Sequence, residues 1–267
     1  MLDPNIHLLG KQPFKHNPNA LLFANYKSAT YVPTPLRVDY SCGISDWGMM
    51  LNDRLGCCTI TDGPGHATQV WTVNATGRMM TPPDSAIEQG YEFWCDYNPS
   101  NPDSDEGGCE SDVLEDWRTK KGNISAFAPL DAHASIHRFT PQNIDYKIVD
   151  PNDLRLAIYV FGCAYGGVQL PVSCQNQNTW DVVIQESPDT QPGSWGGHAI
   201  LFIGYDADEE ILSFLSWGKV YQMTWKFFNK YVDEAYALYS SSWVRVAGTA
   251  PSGYDVDALM KAQALVQ

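Results

Sequence analysis

The chain has 267 residues, of which 44% are hydrophobic, and 31 acidic residues against 17 basic ones give it a formal net charge of −14. This length and hydrophobic content predict a globular protein with a full core and exclude a disordered chain. The acidic surface repels phosphate backbones, so a nucleic acid is not an expected partner. No apolar run is long enough for a membrane span, and the first residues lack the basic region and apolar core of a secretory signal.

The seven cysteines form no metal-binding or redox pattern. Their number is odd, so at least one is free within the chain, and no pair has Cys-x-x-Cys spacing. His133 and His137 are four residues apart but lack the glutamate of a zinc peptidase helix, so they are interpreted as surface residues. We expect no metal, no cofactor, and reduced thiols in a bacterial cytoplasm.

The first 45 residues are expected to form an extended arm that packs over the body of the protein. Five prolines interrupt this stretch. Each of them removes the backbone donor that a strand or helix would use. Short strands near residues 20–26 are the most regular structure that we expect there.

The stretch Leu51–Thr59 contains the strongest candidate for a reactive residue. A turn through Asn52 and Gly56 leads to the adjacent Cys57 and Cys58, and the segment that follows is predicted to be helical. A thiol at the first turn of a helix lies at the positive end of the peptide dipoles, which favours the nucleophilic thiolate. A free cysteine is more often a small buried hydrophobe, so the choice of Cys58 over Cys57 depends on a histidine that the fold brings near it.

The predicted helix after Cys58 is interrupted by Gly63, Pro64 and Gly65. Proline inside a helix removes a hydrogen bond, and its ring clashes with the preceding turn. We therefore expect a kink near Pro64, or a short first turn at Cys58 followed by a sounder helix from Gly65 to Ala75. Either distortion would weaken the effect of the helix dipole on the thiol.

The rest of the chain predicts helices first and strands later. The expected helices are Ser85–Cys95 with Asp84 as cap, Ser111–Lys121, Pro151 to about Phe161 with Asp150 as cap, Trp225–Tyr231 and, weakly, Val256–Leu265. The expected strands are Tyr146–Val149, Tyr165–Leu170, His198–Tyr205, Ile211–Trp217, Ala235–Tyr239 and Trp243–Val246, with Asp131–Thr140 ambiguous. This order favours an α+β body in which a helical half faces a sheet half.

His198 is the candidate partner of the thiol. It follows the glycine-rich turn Ser194–Gly197 and opens an apolar strand. A histidine in that position is able to accept the thiol proton and later to protonate a leaving group. His66 is expected to be a core or groove-lining residue instead.

The stretches around Cys58 and His198 resemble the papain-like cysteine peptidase superfamily. That family has an amide residue six positions before the nucleophile, a glycine two positions before it, a Gly-His-Ala strand that ends in Gly-Tyr, and a later Asn-Ser-Trp-Gly segment. The matching residues are Asn52 (where the family usually has Gln), Gly56, Cys58, Gly197, His198, Ala199, Gly204, Tyr205, Ser216, Trp217 and Gly218. In order and spacing the resemblance extends from Asp46 to Tyr239.

The resemblance implies an α+β, papain-like fold, in which a helical lobe with a central helix after Cys58 packs against an antiparallel β-sheet or barrel lobe. It divides the chain into an extended N-terminal arm (1–45), a papain-like domain (46–247) and a C-terminal tail (248–267). The helical lobe is expected at about 46–145 and the sheet lobe at about 146–247.

The resemblance also implies the chemistry of the site. Cys58 attacks a carbonyl carbon, and His198 stabilises the thiolate before it protonates the leaving amine. The side-chain amide of Asn52 and the backbone N–H of Cys58 stabilise the oxyanion, at about 3 kcal/mol per donor. The residues expected to line the substrate groove are Gly107, Gly108, Trp195 and Gly197.

The chain departs from the family at Leu215, which stands where the family has the asparagine that fixes the histidine ring. Leucine cannot accept the ring N–H. Ser216 is the next residue, but it is expected to point to the opposite face unless a slip or bulge turns it round; Asp206 and Asp181 are other acceptors. Trp217 is expected to shield the ring from water. Loss of the third triad member usually leaves a slower enzyme and not a dead one.

A narrower resemblance is to papain-like proteins encoded by tailed bacteriophages. The shared stretches are Leu9–Lys11, Trp47–Asp53, Ser194–His198 and Met223–Phe228. This resemblance implies a location in the cytoplasm of an infected bacterium or, after assembly, in the virion, without secretion by a signal peptide.

Two functions remain open. The first is a cysteine peptidase or amidase that cuts a protein or peptide, such as a phage structural protein or a peptide cross-bridge of the bacterial wall. The second is a catalytically impaired papain-fold protein that serves as a virion structural, decoration or assembly component. Its partners would be other phage structural proteins.

Overall fold

A large β-sheet and a group of helices make up the chain, whose computed structural model describes residues 2–15, 20–26, 33–136, 138–140, 143–145 and 149–243. The helices are α1 (Cys58–Ile60), α2 (His66–Thr76), α3 (Asp84–Cys95), α4 (Glu110–Arg118), α5 (Pro151–Phe161) and α6 (Trp225–Tyr231). The strands are β1 (Arg37–Asp39), β2 (Ala132–Ser135), β3 (Arg138–Thr140), β4 (Asn143–Asp145), β5 (Ala164–Leu170), β6 (Thr179–Trp180), β7 (Gly196–Asp206), β8 (Ile211–Ser216), β9 (Lys219–Thr224) and β10 (Val232–Tyr239).

Eight of the strands form one sheet in the order β2-β10-β5-β7-β8-β9-β6, with β1 paired to the far end of β7. The pairs are antiparallel except for β6 with β9. The long strand β7 lies in the middle and is buried along most of its length, which accounts for its continuous apolar sequence. The sheet is open, so the antiparallel sheet of the prediction is confirmed and its closure into a barrel is not observed.

The helices lie against the sheet in two groups. Helix α5 packs on β10, β7 and β5, while α1 and α2 pack on β7. Helices α3 and α4 pack on each other and on α1, so the start of α1 lies where the helices meet the sheet. Among the described residues, no helix combines the length and apolar character needed to cross a bilayer.

The helical segment after Cys58 changes its geometry at Pro64. A π-turn spans Thr61–Gly65 between α1 and α2, and α2 ends at Thr76, followed by Gly77 with a φ of 75°. In an ordinary α-helix the proline ring clashes with the carbonyl four residues back, here that of Ile60, and a wider turn relieves the clash. The predicted short first turn and later helix are confirmed, with a π-turn between them.

Most other predicted elements are confirmed to within a few residues. Asp150 caps α5 by accepting two backbone N–H groups of its first turn, and Pro151 is the first helical residue. The predicted strands at 165, 198, 211 and 235 correspond to β5, β7, β8 and β10. The expected cap of α3 is wrong: Asp84 is its first residue and Pro83 precedes it without a side-chain capping bond.

The predictions also missed some structure. Residues 23–26 form a 3-10 turn and not a strand. Strand β1 lies within the stretch expected to be an arm, β2 within the ambiguous segment, and β9 was not foreseen. Of the expected elements, Tyr146–Val149 and Trp243–Val246 lie mostly, and Val256–Leu265 with the tail 248–267 wholly, outside the described residues.

Candidate active site

Cys58 and His198 come together where the helices meet the sheet. Cys58 is the first residue of α1, and its Sγ accepts a hydrogen bond from the backbone N–H of Ala199 at 3.4 Å. His198 lies near the start of β7 and pairs with Val168 of β5. Both side chains are fully buried. Tertiary structure therefore places the thiol beside the backbone that carries the histidine.

His198 is held from two sides by the end of β8 and the turn that follows it. The indole of Trp217 stacks on the imidazole, with ring centroids 4.1 Å apart and an interplanar angle of 14°. Trp217 and Gly218 have φ values of 43° and 71°, the positive values of a type I′ hairpin turn. His198 Nε2 lies 2.6 Å from Ser216 Oγ. Trp217 thus covers one face of the ring, and Ser216 contacts its Nε2.

A β-bulge explains why Ser216 rather than Leu215 reaches the histidine. Near the β7–β8 hairpin, Gly204 pairs with Ser213. If that register continued, Leu215 would share a face with His198. A bulge just before Gly204 shifts the pairing by one residue, so Ser216 takes that face and Leu215 turns to the other.

A chain of buried polar groups continues from Ser216 into the π-turn. Ser216 Oγ donates to Asp62 Oδ2 at 3.3 Å, and Asp62 Oδ1 lies 3.3 Å from His66 Nε2. His66 Nδ1 lies 2.7 Å from Gln69 Oε1. All four side chains are fully buried. The π-turn that accommodates Pro64 therefore also places a carboxyl group behind the candidate base.

The direction of the hydrogen bonds in this chain is set at its far end. Gln69 Nε2 donates to the carbonyl oxygen of Trp47 at 2.8 Å, so Oε1 is the acceptor for the Nδ1–H of His66. His66 Nε2 is then unprotonated and faces Asp62 Oδ1 at 3.3 Å, but neither atom has a hydrogen-bond partner among the described residues. Burial raises the pKa of Asp62 well above its ordinary value and lowers the pKa of His66 to about 4, which agrees with a carboxylic acid beside a neutral imidazole.

The same reasoning places the proton on His198. Because the hydroxyl of Ser216 donates to Asp62, its oxygen is the acceptor for the Nε2–H of His198. The Nδ1 of His198 then carries a lone pair, and it has no hydrogen-bond partner among the described residues. A neutral histidine with a free nitrogen is the form that accepts a proton from a thiol.

In this closed form the thiol of Cys58 and the ring of His198 are both neutral. Burial, with a smaller contribution from Asp62, raises the pKa of Cys58 well above its ordinary value. Burial also lowers the pKa of His198 well below its ordinary value. In this form the removal of water favours the neutral thiol, and stabilisation of the thiolate by the helix terminus stays a prediction.

Asn52 contacts the N-terminal segment at the edge of the site. Its Nδ2 donates to the carbonyl oxygen of Leu8 at 3.3 Å and to that of Leu55 at 3.1 Å. The Nε1 of Trp217 donates to the same Leu8 oxygen at 3.0 Å. Two N–H donors therefore converge on one carbonyl oxygen, as they would on the carbonyl of a bound peptide.

Residues 8–12 fill the groove that runs past these donors. The N–H of Lys11 donates to the carbonyl of Gly197 at 3.1 Å, and the N–H of Gly108 donates to the carbonyl of Gly10 at 2.7 Å. Lys11 and Gly108 form a parallel bridge. Three of the four residues predicted to line a groove (Gly107, Gly108 and Gly197) therefore contact the chain's own N-terminal segment.

Glycines lie on both sides of this contact for a steric reason. A Cβ at Gly107 would overlap the carbonyl of Gly10, and a Cβ at Gly197 would overlap the carbonyl of Lys11. A Cβ at Gly10 itself would overlap the carbonyl of Gly56. The two backbones approach closely because no side chain stands between them.

The side chain of Lys11 enters a buried acidic pocket beside the groove. Its Nζ lies 2.7 Å from Glu234 Oε1 and 3.1 Å from Asp233 Oδ2. Glu110, at the start of α4, is also buried, and neither of its oxygens has a hydrogen-bond partner among the described residues. Burial lowers the pKa of Lys11, but attraction to the carboxyl groups, Glu234 first, outweighs it and leaves that pKa above its ordinary value.

The solved structures to which this arrangement of helices and sheet is similar include cysteine proteases. Xylellain, a cysteine protease from Xylella fastidiosa, has a TM-score of 0.62 at 13% identity, over 88% of this chain and 97% of its own. Digestive procathepsin L 3 of Tenebrio molitor larval midgut has 0.54 at 14% identity, over 88% and 77%. The chain has a papain-like fold. The bromelain protease from Ananas comosus, in complex with the E64 inhibitor, has 0.52 at 12% identity, over 78% and 100%.

The papain-like fold is visible in structure and not in overall sequence. No protein-family model matches the chain, and no curated protein sequence matches it. Identities of 12–14% with these proteases show the fold alone. Activity must therefore be argued from the residues of the site.

The remaining residues singled out in the sequence have other roles in this papain-like structure. Trp195 stacks on Trp217, with ring centroids 5.7 Å apart. Asp206 accepts backbone N–H groups of its own hairpin, and Asp181 accepts from a threonine hydroxyl on β9. Their suggested role as acceptors for the histidine ring is therefore wrong, and the contact to the ring is made by Ser216.

Sequence reasoning missed Asp62 and the acidic pocket. The run Asp62–Gly65, Asp-Gly-Pro-Gly, was the available signal for the first, because helix-breaking residues directly after a nucleophile require a local reason. The pocket had no such signal, since Lys11, Glu110 and Glu234 are distant in sequence and each is ordinary in its own context.

Proposed function

We propose that the chain is a papain-like cysteine peptidase or amidase of a tailed bacteriophage, which acts on a protein or peptide by acyl transfer through Cys58 and His198. The observations that carry this proposal are the hydrogen bonds behind His198, which leave its Nδ1 unpartnered among the described residues, and the 3.4 Å contact of Cys58 Sγ with the N–H of Ala199, the residue next to His198. A histidine buried only for packing would normally have both ring nitrogens satisfied.

The phage setting rests on sequence resemblance. The Leu9–Lys11 and Ser194–His198 stretches are those shared with the phage proteins, and they meet in the structure, where the N–H of Lys11 binds the carbonyl of Gly197. The proposed location is the cytoplasm of the infected bacterium or the virion. The proposed partners are a protein or peptide substrate, or other phage structural proteins.

The proposed reaction uses Cys58, His198 and Asn52. His198 Nδ1 takes the proton of Cys58, and the sulfur forms a bond to the substrate carbonyl carbon while the carbonyl electron pair moves to oxygen. The amide of Asn52 and the backbone N–H of Cys58 stabilise that oxyanion. The C–N bond breaks as His198 passes its proton to the leaving amine, and water then hydrolyses the thioester.

Ser216 and Asp62 act as positioning residues in this mechanism. They replace the asparagine whose place in sequence is taken by Leu215, and they hold His198 in the tautomer with Nε2 protonated. The 3.6 Å separation between His198 Nε2 and Asp62 Oδ2 also places a carboxyl group close to the ring when it becomes imidazolium.

The form described here is a resting form, because a substrate enters only when residues 8–12 leave the groove. The Leu8 carbonyl occupies the side-chain donors of Asn52 and Trp217. Cys58 and His198 have no exposed surface while the segment is in place. Activity therefore requires displacement or removal of this segment.

The test is the rate at which iodoacetamide labels each cysteine, measured by peptide mass spectrometry. The substitution Gly10→Ala forces the segment off the groove, because the new Cβ overlaps the carbonyl of Gly56. In this variant we expect Cys58 to label at least about tenfold faster than in the wild-type chain, with a pH midpoint below that of the exposed Cys42. Slow labelling of Cys58 in both chains, equal to that of the buried Cys163, contradicts the proposal.

Two control variants separate opening from activation. Gln12→Ala lies in the same segment and changes an exposed side chain, so it should leave the labelling of Cys58 unchanged. His198→Ala, introduced into the Gly10→Ala chain, should return the pH midpoint of Cys58 labelling to about 8.5, because the imidazolium that stabilises the thiolate is absent.

The alternative function is a catalytically impaired papain-fold protein that serves as a virion structural, decoration or assembly component. The observation that favours it is the filled groove, with Cys58 and His198 fully buried. High copy number in purified particles, together with slow labelling of Cys58 in the Gly10→Ala chain, would support this alternative over the peptidase.

A further inference from the structure

The groove binds residues 8–12 mainly through their backbone. Its hydrogen bonds to Leu8, Gly10 and Lys11 all involve backbone atoms of the segment. Lys11 alone sends a fully buried charged side chain into a pocket of the protein. Besides Lys11, the exposed side chain of Gln12 also takes part, with its Nε2 3.5 Å from the carbonyl oxygens of Glu106 and Gly107. Backbone bonds accept any extended chain, and a side-chain pocket supplies the specificity. Selectivity of this groove therefore depends on what the Lys11 pocket accepts.

The pocket is built to hold a long, positively charged side chain. Gly167 in β5 leaves room for its stem, since a Cβ there would overlap the Cε of Lys11. The carboxyl groups at its end are fixed by other donors: Tyr236 Oη donates to Glu234 Oε2 at 2.7 Å, and Gln169 Nε2 donates to Asp233 Oδ2 at 2.8 Å. The acidic groups are thus oriented independently of Lys11.

The pocket also contains more carboxyl groups than cations, since those of Glu110, Asp233 and Glu234 surround one lysine. Lys11 is the single cation that forms ion pairs with Asp233 and Glu234 among the described residues, and Glu110 lies close enough to interact with it electrostatically. Both oxygens of Glu110 and Oδ1 of Asp233 have no hydrogen-bond partner there. Burial raises the pKa of Glu110 and of Glu234, which favours their neutral forms, whereas a cation beside them favours the charged forms. A chain that replaces the segment is therefore held more tightly if it supplies a positive charge at this point.

We propose that this pocket binds a lysine or arginine side chain of the peptide that displaces residues 8–12, and that the groove therefore selects substrates with a basic residue at this position. The inference deepens the proposed peptidase function and rests on it for its catalytic consequence. Binding itself does not require a reactive Cys58.

The test measures peptide binding to a full-length chain whose own occupant is shortened. Lys11→Ala empties the pocket, and Cys58→Ala in the same chain prevents turnover. Fluorescence anisotropy compares a labelled peptide that copies residues 8–12, acetyl-Leu-Leu-Gly-Lys-Gln-amide, with versions in which norleucine or arginine replaces lysine. We expect the lysine and arginine peptides to bind at least about tenfold more tightly than the norleucine peptide. Equal affinities, or tighter binding of norleucine, overturn the proposal.

Matched variants show whether the carboxyl groups of the pocket cause the preference for basic peptides. Glu234→Gln keeps an acceptor for Tyr236 and removes one charge, so it should abolish most of the preference for the basic peptides. Glu115→Gln removes one exposed charge, which pairs with Arg118 and forms no ion pair with Lys11, and should leave the preference intact. If both variants reduce it equally, net charge rather than the pocket is responsible and the proposal fails.

A second measurement needs no substitution. Hydrogen exchange of residues 8–12 in the wild-type chain should increase when the lysine peptide is added in excess and should not change with the norleucine peptide. The proposal is also overturned if none of the three peptides displaces residues 8–12, because the pocket then binds only the side chain of Lys11. Neither binding experiment depends on thiol chemistry, so their failure and the failure of Cys58 to label rapidly are separate results.

Discussion

The two buried polar clusters beside residues 8–12 differ in their charged groups. Behind His198, hydrogen bonds link the imidazole to Ser216 and Ser216 to Asp62, while Asp62 Oδ1 and His66 Nε2 lie 3.3 Å apart without a hydrogen bond, and no described lysine or arginine takes part. Around Lys11, one cation faces the carboxyl groups of Asp233, Glu234 and Glu110, some of whose oxygens have no hydrogen-bond partner among the described residues. A hydrogen-bonded chain favours one arrangement of its groups, whereas buried carboxyl groups favour the presence of a cation.

This difference suggests a division of labour within one groove. The chain of polar groups behind His198 fixes the tautomer of the candidate base. None of its contacts involves residues 8–12, so we expect it to stay unchanged when the groove opens. The acidic pocket retains the segment that closes the groove, and it would be left uncompensated if the segment departed without replacement. Each of the following predictions tests one side of the comparison.

The largest expected effect on stability comes from removing the cation. Lys11→Met should lower the free energy of unfolding at pH 7 by about 3–5 kcal/mol, because it leaves Glu234 and its neighbours buried without a partner. Urea denaturation measures this loss. Lys15→Met is the matched control: its ion pair with Asp112 is exposed, so its loss should cost less than about 1 kcal/mol. Equal losses of stability in the two variants would show that burial of the Lys11 ion pairs does not increase their contribution.

A smaller effect is expected on the pH dependence of the free energy of unfolding, through the titration of His66 behind His198. The pKa of His66 is lowered to about 4 by burial, so between pH 6.5 and 4 the unfolded state binds more protons than the folded state. The stability that follows from this is present above pH 6.5 and is lost as the pH falls towards 4, by up to about 3 kcal/mol. Urea denaturation of the wild type and of His66→Gln across this pH range measures the contribution of His66 to the free energy of unfolding.

His133 provides the control for this pH effect. Burial lowers its pKa to about 4 as well, but it lies in β2 and pairs with Glu115, outside the chain behind the thiol. His133→Gln should remove a similar pH dependence of stability. Only His66→Gln should change the labelling of Cys58 in the opened chain; an equal change in both variants would argue against a connection between His66 and the site.

The smallest expected effect is the most informative about Asp62. If this carboxyl group is protonated, Asp62→Asn preserves the hydrogen bonds, because its amide donates to His66 Nε2 and its oxygen accepts from Ser216. The labelling rate of Cys58 in the Gly10→Ala chain should then stay within about threefold, while Asp62→Leu should reduce it by about 10- to 100-fold by leaving buried polar groups unpaired. A large loss in Asp62→Asn would show that the carboxylate itself is required.

Local signals in the sequence are enough to predict much of the fold. Helix α5, with its Asp150 cap and Pro151, and the apolar strand that begins at His198 were predicted because their signals are local. Pro64 likewise predicted a break in the helix after Cys58, because its ring does not fit an ordinary helix at that point. The nature of the disturbance, a π-turn that aims Asp62 at the site, depended on packing against β7.

Only the tertiary structure decided which residues serve the site. The register of the β7–β8 hairpin, if continued, would put Leu215 on the same face as His198, but a one-residue bulge puts Ser216 there instead. Such a register shift arises from strand pairing and not from local propensity. The acidic pocket depends even more on assembly, because Lys11, Glu110 and Glu234 come from the N-terminal segment, α4 and β10. Local interactions specify elements; buried charge and hydrogen-bond pairing between distant elements specify what those elements do.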